Sequence, residues 1–145
     1  MQKYESLVFG GKLEIRYSIS EFAYFSLAGV AGFLIDTGVV LLLTKSGMDP
    51  IMAQSVAFTI AVTITWLLNR RFTFAHHASP KWLREWLHYV AANSVGALVN
   101  NGVYALLVLT MAMFSKEPVL AVVSGSLAGL VFNFTASRTL VFRAR

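Results

Sequence analysis

The sequence predicts an all-α membrane protein in which four transmembrane helices form two similar hairpins. Three observations predict this fold. Of the 145 residues, 57% are hydrophobic and 13% are charged, with a mean hydropathy of +0.65, whereas about a quarter of the residues in a soluble domain are charged. The apolar residues fall in four long runs, and the second half of the chain repeats the pattern of the first.

Each apolar run is long enough to cross a bilayer. The runs cover residues 22–44, 51–68, 87–114 and 119–136, and about 18 apolar residues already mark a transmembrane candidate. A cleavable signal peptide has an apolar core of only about 7–15 residues, so the first run is expected to remain as a helix. We therefore predict a short N-terminal arm over residues 1–21 and a transmembrane domain over residues 22–145.

The repeat halves, residues 21–74 and 85–142, correspond position by position. Gly32 and Gly96 lie 64 residues apart, and Arg70 and Arg138 lie 68 apart, which indicates four extra residues in the second turn or at the end of helix three. Because each half has two helices, both halves must enter the bilayer in the same sense, which predicts parallel repeats about an axis along the membrane normal. Other matched pairs are Glu21 with Glu85, Asp36 with Asn100, Pro50 with Pro118, Thr65 with Asn133 and Phe74 with Phe142.

The second and fourth helices have matching ends. Asp49-Pro50 begins one and Glu117-Pro118 begins the other, because an acidic residue can cap a helix start and proline is tolerated in the first turn. Each helix is followed by an arginine and then by a Phe-bearing tail, over residues 69–74 and 137–142. We expect these tails to be extended.

The basic residues indicate the orientation. Ten of the twelve Lys and Arg residues lie in the N-terminal arm, the middle loop or the C-terminal tail. Cytoplasmic segments carry this excess, so both termini and the middle loop are expected in the cytoplasm. The net charge of +5 could suggest binding to nucleic acid, but this distribution of the basic residues argues against it. The ten are Lys3, Lys12, Arg16, Arg70, Arg71, Lys81, Arg84, Arg138, Arg143 and Arg145.

Small residues recur every four positions on helices two and four. Such spacing lets helix backbones approach closely in lipid, which favours packing seams. Each row also becomes more polar towards its arginine, and a polar groove that ends at a cation would suit an anionic lipid head group. The rows are Ala57, Ala61, Thr65 and Asn69, and Gly125, Gly129, Asn133 and Ser137.

Asp36 lies within the first apolar run. A carboxylate at the bilayer centre costs about 2.5–3.5 kcal/mol on insertion scales, so it should face the bundle interior or water. Interhelical hydrogen bonding explains it, and so does a proton- or sugar-binding site that faces Asn100 and Asn101.

Arg70, Arg71 and Arg138 also allow two interpretations. As positive-inside anchors they need no further function. Alternatively, their repeated placement suits phosphate at the cytoplasmic leaflet, since guanidinium groups bind phosphate bidentately.

No enzyme site is predicted. The three histidines, His76, His77 and His88, have no acidic or cysteine partners at metal-ligand spacing, and no nucleophile is paired with a base. We therefore expect neither a metal nor a cofactor. The chain has no cysteine, which excludes disulfides and thiol chemistry.

The four helices, Asp36 and the run Asn-Arg-Arg-Phe-Thr-Phe at residues 69–74 together resemble the GtrA-like family. The resemblance covers about residues 16–143. The second copy of the signature departs from the family pattern, with Ser137 and Thr139 where Asn and Arg are frequent.

The resemblance implies translocation of a polyprenyl-phosphate-linked sugar, such as undecaprenyl-phosphate glucose, across the bacterial cytoplasmic membrane for cell-surface polysaccharide synthesis or glycosylation. In this hypothesis Asp36, Asn100, Asn101 and Asn133 line the polar path. The phosphate ligands would be Asn69, Arg70, Arg71 and Arg138. Because four helices are few to enclose such a path, we expect a homodimer among the membrane lipids.

Two other functions stay open. The family also resembles the membrane part of some dolichol-phosphate mannose synthases, which implies a non-transporting anchor for a polyprenyl-phosphate glycosyltransferase. A small four-helix drug exporter would use Asp36 as its proton-coupled carboxylate. The sequence pattern of such exporters differs from that of this chain, because they resemble one another in a glutamate in helix one and lack the duplicated arginine tail.

Overall fold

The computed structural model describes the backbone of residues 2–142 and the side chains of residues 19–142. All regular structure in this part of the chain is helical. The helices are α1 (Gln2–Lys45), α2 (Pro50–Leu68), α3 (Trp82–Thr110), α4 (Ala112–Lys116) and α5 (Pro118–Ala136). The basic side chains of the N-terminal arm, together with Arg143 and Arg145, lie outside the described residues. The boundary of the arm at residue 21 stays a prediction.

Four segments are long and apolar enough to cross a membrane, which confirms the predicted fold class. They are Ile19–Lys45, Pro50–Thr73, Trp82–Thr110 and Pro118–Val141. Ion pairs between Arg70 and Glu85 and between Arg138 and Glu21 gather one end of each segment together. We call this the basic end. Its position in the cytoplasm stays a prediction.

Each half of the chain forms a helical hairpin, because α1 packs mainly on α2 and α3 mainly on α5. The contacts follow the small-residue rows. Gly32 packs against the side chain of Thr65, and its counterpart Gly96 packs against Asn133. A Cβ atom added at Gly129 would lie 3.1 Å from the carbonyl oxygen of Gly96. The rows are therefore packing seams, as predicted.

The two hairpin turns differ. Asp49 caps α2, since its Oδ1 atom accepts hydrogen bonds from the N–H groups of Ile51 at 3.0 Å and Met52 at 3.2 Å. The expected cap at Glu117 is wrong, because its side chain makes no capping hydrogen bond. Glutamate is not among the preferred N-cap residues, whose shorter side chains reach the first-turn N–H groups. The extra residues of the second turn form α4.

The tails after α2 and α5 are not extended, contrary to the sequence-based prediction. Asn69–Thr73 and Ser137–Val141 are π-helical turns. The N–H group of Phe74 donates to the carbonyl oxygen of Asn69 at 2.7 Å, and that of Phe142 donates to Ser137 at 2.8 Å. The wider turns continue the helices and end where both phenylalanine side chains become buried.

The aromatic core lies at the basic end and joins the two halves. Phe74 and Phe142 are each 1% exposed, and their rings stack with centroids 4.8 Å apart. Phe25, Trp66 and Tyr89 pack in the same cluster. Aromatic pairs add about 0.5–1.5 kcal/mol beyond the area they bury. The matched phenylalanines therefore fasten the hairpins to each other beside the arginines.

Candidate functional site

A cavity of about 590 Å³ lies between the two hairpins and is lined by residues of all four spans. Along α1 its lining runs from Phe25 to Asp36. At about 1.5 Å per residue this interval covers about 16 Å, roughly half of a hydrocarbon layer that is about 30 Å thick. The polar side chains of the lining include Asp36, Asn93, Asn100 and Asn133. The spans thus enclose polar groups at membrane depth.

The structure brings together three of the four residues predicted for the polar path. Asp36, Asn100 and Asn133 all line the cavity. Asn101 is exposed and outside this lining, and its side-chain amide donates to the carbonyl oxygen of Ala97 at 2.8 Å. The path itself stays a prediction.

Asp36 has a partner that the sequence did not point out. The amide nitrogen of Gln54 donates to both carboxylate oxygens, each at 3.2 Å. The repeat could have indicated this partner. At the spacing of 68, Gln54 corresponds to the apolar Val122, so Gln54 is a polar residue that only the first half carries. The Asp36–Gln54 pair therefore distinguishes the first half from the second.

Asn133 presents an acceptor that has no partner among the described residues. Its Oδ1 atom is buried and accepts no hydrogen bond, although nearly all buried polar atoms in proteins have a partner. The side chain lies against Gly96 and lines the cavity. The oxygen faces Gly96, so a ligand hydroxyl would reach it only after the Asn133 side chain rotates into the cavity.

Arg70 is held by several contacts at the basic end. Its Nη1 atom pairs with Oε1 of Glu85, its Nη2 atom donates to the carbonyl oxygen of Ser79 at 2.9 Å, and its guanidinium lies 5.6 Å from the ring centroid of Trp66. The Glu85 side chain has no exposed surface and also accepts from the indole N–H of Trp66 at 3.0 Å. These contacts fix the middle loop to the end of α2.

Asn69 is also engaged within the protein. It is 1% exposed, its amide nitrogen donates to the hydroxyl of Tyr89 at 2.8 Å, and its Oδ1 atom accepts from the hydroxyl of Thr73 at 2.8 Å. Its phosphate contact stays a prediction, and its geometry is that of a core residue that supports the π-helical turn.

The remaining predicted phosphate ligands are more accessible. Arg71 is exposed, with its guanidinium 5.9 Å from the ring centroid of Phe72. The Arg138 side chain is 45% exposed, and its Nε atom lies 3.3 Å from Oε2 of Glu21 without hydrogen-bond geometry. Arg138–Glu21 and Arg70–Glu85 are equivalent pairs in the repeat, and each joins one half to the other. The Arg70–Glu85 pair is enclosed, and the Arg138–Glu21 pair is accessible.

Metal binding has no support in the described part of the chain, where no group of three or more His, Cys, Asp or Glu residues is arranged to hold an ion.

Residues 24–142 match the sequence model of the GtrA/DPMS transmembrane domain. The chain belongs to this family. The GtrA-like resemblance of the sequence is thereby confirmed, and the match favours it over the drug-exporter interpretation. With four spans, this GtrA/DPMS protein is a multi-pass membrane protein.

A membrane protein of Bacillus subtilis is similar in sequence. The chain is 23% identical over 133 residues to the uncharacterized membrane protein YngA of Bacillus subtilis (strain 168), and the alignment covers 92% of this chain and 86% of that protein. The similarity therefore extends over nearly the whole length of both proteins.

Proposed function

We propose that this protein binds a polyprenyl-phosphate-linked sugar at the basic end and carries it across the bacterial cytoplasmic membrane. The cavity between the hairpins supports this function. Its volume of about 590 Å³ falls within the range of about 300–1,000 Å³ that small-molecule sites occupy. It is also polar at a depth where unpartnered polar groups are costly. A homodimer is part of the proposal.

The sugar would occupy the polar part of the cavity. Asp36 and Asn100 provide acceptors and donors for hydroxyl groups, and the side-chain amide of Asn133, which also lines the cavity, would provide further ones after it rotates away from Gly96. Hydrogen bonds from a sugar would satisfy these groups within the bilayer, which lowers the free energy of the intermediate position.

The phosphate would bind Arg138 and Arg71. Both side chains are exposed enough to meet a head group at the membrane surface. The charge of Arg70 is already compensated by the enclosed carboxylate of Glu85, so we assign Arg70 and Asn69 to positioning the end of α2. This refines the sequence-based hypothesis, which treated all four residues as phosphate ligands.

The direct test is transport by purified protein in liposomes that contain a labelled polyprenyl-phosphate sugar. The variant with Arg71→Gln and Arg138→Gln should lose transport, because both cations proposed to bind the phosphate are removed. The variant with Lys45→Gln and Lys116→Gln removes the same charge at the two hairpin turns and should transport normally. Full transport by the arginine variant at equal protein content would refute the assignment.

The family description also favours a second function. The matched domain is shared between GtrA and DPMS proteins, so the chain is also a candidate anchor for a polyprenyl-phosphate glycosyltransferase. An anchor should co-purify with that enzyme, and its deletion should abolish the enzyme's activity while liposomes containing the purified protein show no flux. Flux without the enzyme would exclude a purely anchoring role.

A further inference from the structure

A second cleft lies at the basic end, formed by the middle loop, the start of α3 and the turn after α5. It has a volume of about 490 Å³ and shares no lining residue with the intramembrane cavity. Its polar lining consists of His76, His77, Ser79, Lys81, Arg84, Glu85 and His88. The proposed transport function uses none of the basic residues in this cleft.

The cleft carries excess positive charge. Lys81 and Arg84 are exposed, and neither has an ion-pair partner among the described side chains. The single acidic residue in the lining, Glu85, is paired with Arg70 behind it. Two uncompensated cations therefore face a concave surface that also presents three imidazole rings.

Neither Lys81 nor Arg84 has a basic counterpart at the matching position of the first half. At the repeat spacing of 64, Arg84 corresponds to Ser20 and His88 corresponds to Tyr24. A pocket of about 180 Å³ lies at the equivalent place in the first half, and the described side chains of its lining include Tyr24 and no charged residue. Lys81 and Arg84 are therefore features of the second half and not of the repeat.

The cleft lies beside a surface suited to the head-group layer. Trp82, Leu83 and Leu87 are 60%, 53% and 52% exposed on the first turns of α3. Tryptophan next to basic residues is enriched where a protein meets the membrane interface. A surface of this kind would place the cleft at the depth of lipid phosphates.

From these observations we propose that the cleft is a phosphate-monoester site, held by Lys81 and Arg84 with imidazole N–H groups as further donors. Ammonium and guanidinium groups bind phosphate through charge-assisted hydrogen bonds, and Arg in particular matches its geometry. The site goes beyond the proposed transport function, because it is defined by equilibrium binding and by residues that transport does not use.

Isothermal titration calorimetry of the detergent-solubilised protein tests this site, with inorganic phosphate and dihexanoyl phosphatidate as the two probes. Wild type should bind at least one probe, and Lys81→Gln with Arg84→Ser should weaken that binding at least tenfold. The second substitution introduces the residue found at the equivalent position. The matched control, Lys45→Gln with Lys116→Gln, removes equal charge elsewhere and should bind like wild type.

The two probes distinguish the source of the phosphate. Binding of both with similar affinity means that the site takes free phosphate, whereas binding of phosphatidate alone identifies a lipid head group. Equal binding by wild type and the Lys81 and Arg84 variant overturns the proposal, and so does binding of neither probe by wild type. Arg84→Lys keeps the charge but not the planar donors, so its affinity should lie between those of wild type and the double variant, which a misfolded protein would not show.

A result that refutes the phosphate site in the cleft does not refute the transport proposal. The cleft variant keeps Arg71 and Arg138, so its flux in liposomes reports on the transport proposal separately.

Discussion

Replacing Glu85 by glutamine should destabilise the protein far more than the same change at its repeat counterpart, Glu21. The Glu85 carboxylate accepts three hydrogen bonds: Oε1 accepts from Trp66 and Arg70, and Oε2 accepts from the N–H of Ser79. A glutamine oxygen in place of Oε1 retains two of them in weaker, uncharged form. Its NH₂ group then faces the N–H of Ser79, so that two donors meet in a buried site.

The expected loss follows from these contacts. A hydrogen bond to a charged group contributes about 1.5–3 kcal/mol, and a buried donor left unsatisfied costs about 1–3 kcal/mol. Because the Arg70 side chain is 26% exposed, water offsets part of the lost pairing, and we expect Glu85→Gln to lower the free energy of unfolding by roughly 3 kcal/mol. Glu21→Gln breaks a pair whose arginine is 45% exposed, so the loss should be about 0–1 kcal/mol.

The measurement is equilibrium unfolding in mixed micelles with increasing dodecyl sulfate, followed by tryptophan fluorescence and repeated by circular dichroism. A double-mutant cycle with Arg70→Gln isolates the coupling between the two charges. Equal losses for Glu85→Gln and Glu21→Gln would contradict the argument, because the enclosure of one pair and the exposure of the other would then have no energetic consequence.

Two further predictions concern the membrane part and use the same unfolding assay. Gly125→Ala places a Cβ atom 2.5 Å from the backbone oxygen of Asn100 and should lower the free energy of unfolding by about 1–3 kcal/mol. The control is Gly38→Ala, because a Cβ atom there has no atom within 4 Å. That change should leave the free energy of unfolding the same or raise it slightly. Gln54→Val removes a donor to Asp36 and should lower the free energy of unfolding by about 1 kcal/mol. The loss caused by Gln54→Val should be smaller when Asp36 is also replaced by asparagine. An equal loss in both backgrounds would contradict the pairing.

The four spans and the hairpin packing could be predicted because both depend on local patterns. Apolar length decides whether a segment crosses the bilayer, and small residues at every fourth position decide which faces meet. The matched residues Gly32 and Gly96 also make equivalent contacts, against Thr65 and Asn133. These features need no information about distant parts of the chain.

The π-helical turns and the partners of the arginines could not be predicted in this way. An extended tail was expected after Asn69. The observed turn instead continues the helix, and at its end Phe74 stacks on Phe142 from the other half, a long-range contact that local sequence does not specify. The pairing of Arg70 with Glu85 depends on how the halves meet, although both residues were already known to have repeat counterparts.

The two ion pairs that join the halves, Arg70–Glu85 and Arg138–Glu21, are relevant to the proposed transport. A phosphate that arrives at the basic end competes with Glu85 for Arg70 and with Glu21 for Arg138. The first competition must disrupt a carboxylate with three donors, whereas the second displaces an accessible contact of 3.3 Å. Since a ligand shifts an equilibrium only by its differential affinity for the two states, we expect phosphate to displace Glu21 from Arg138 more readily than Glu85 from Arg70. In the proposed transport, the enclosed pair would keep the halves joined while the accessible pair opens, so that two equivalent ion pairs of the repeat would have different roles.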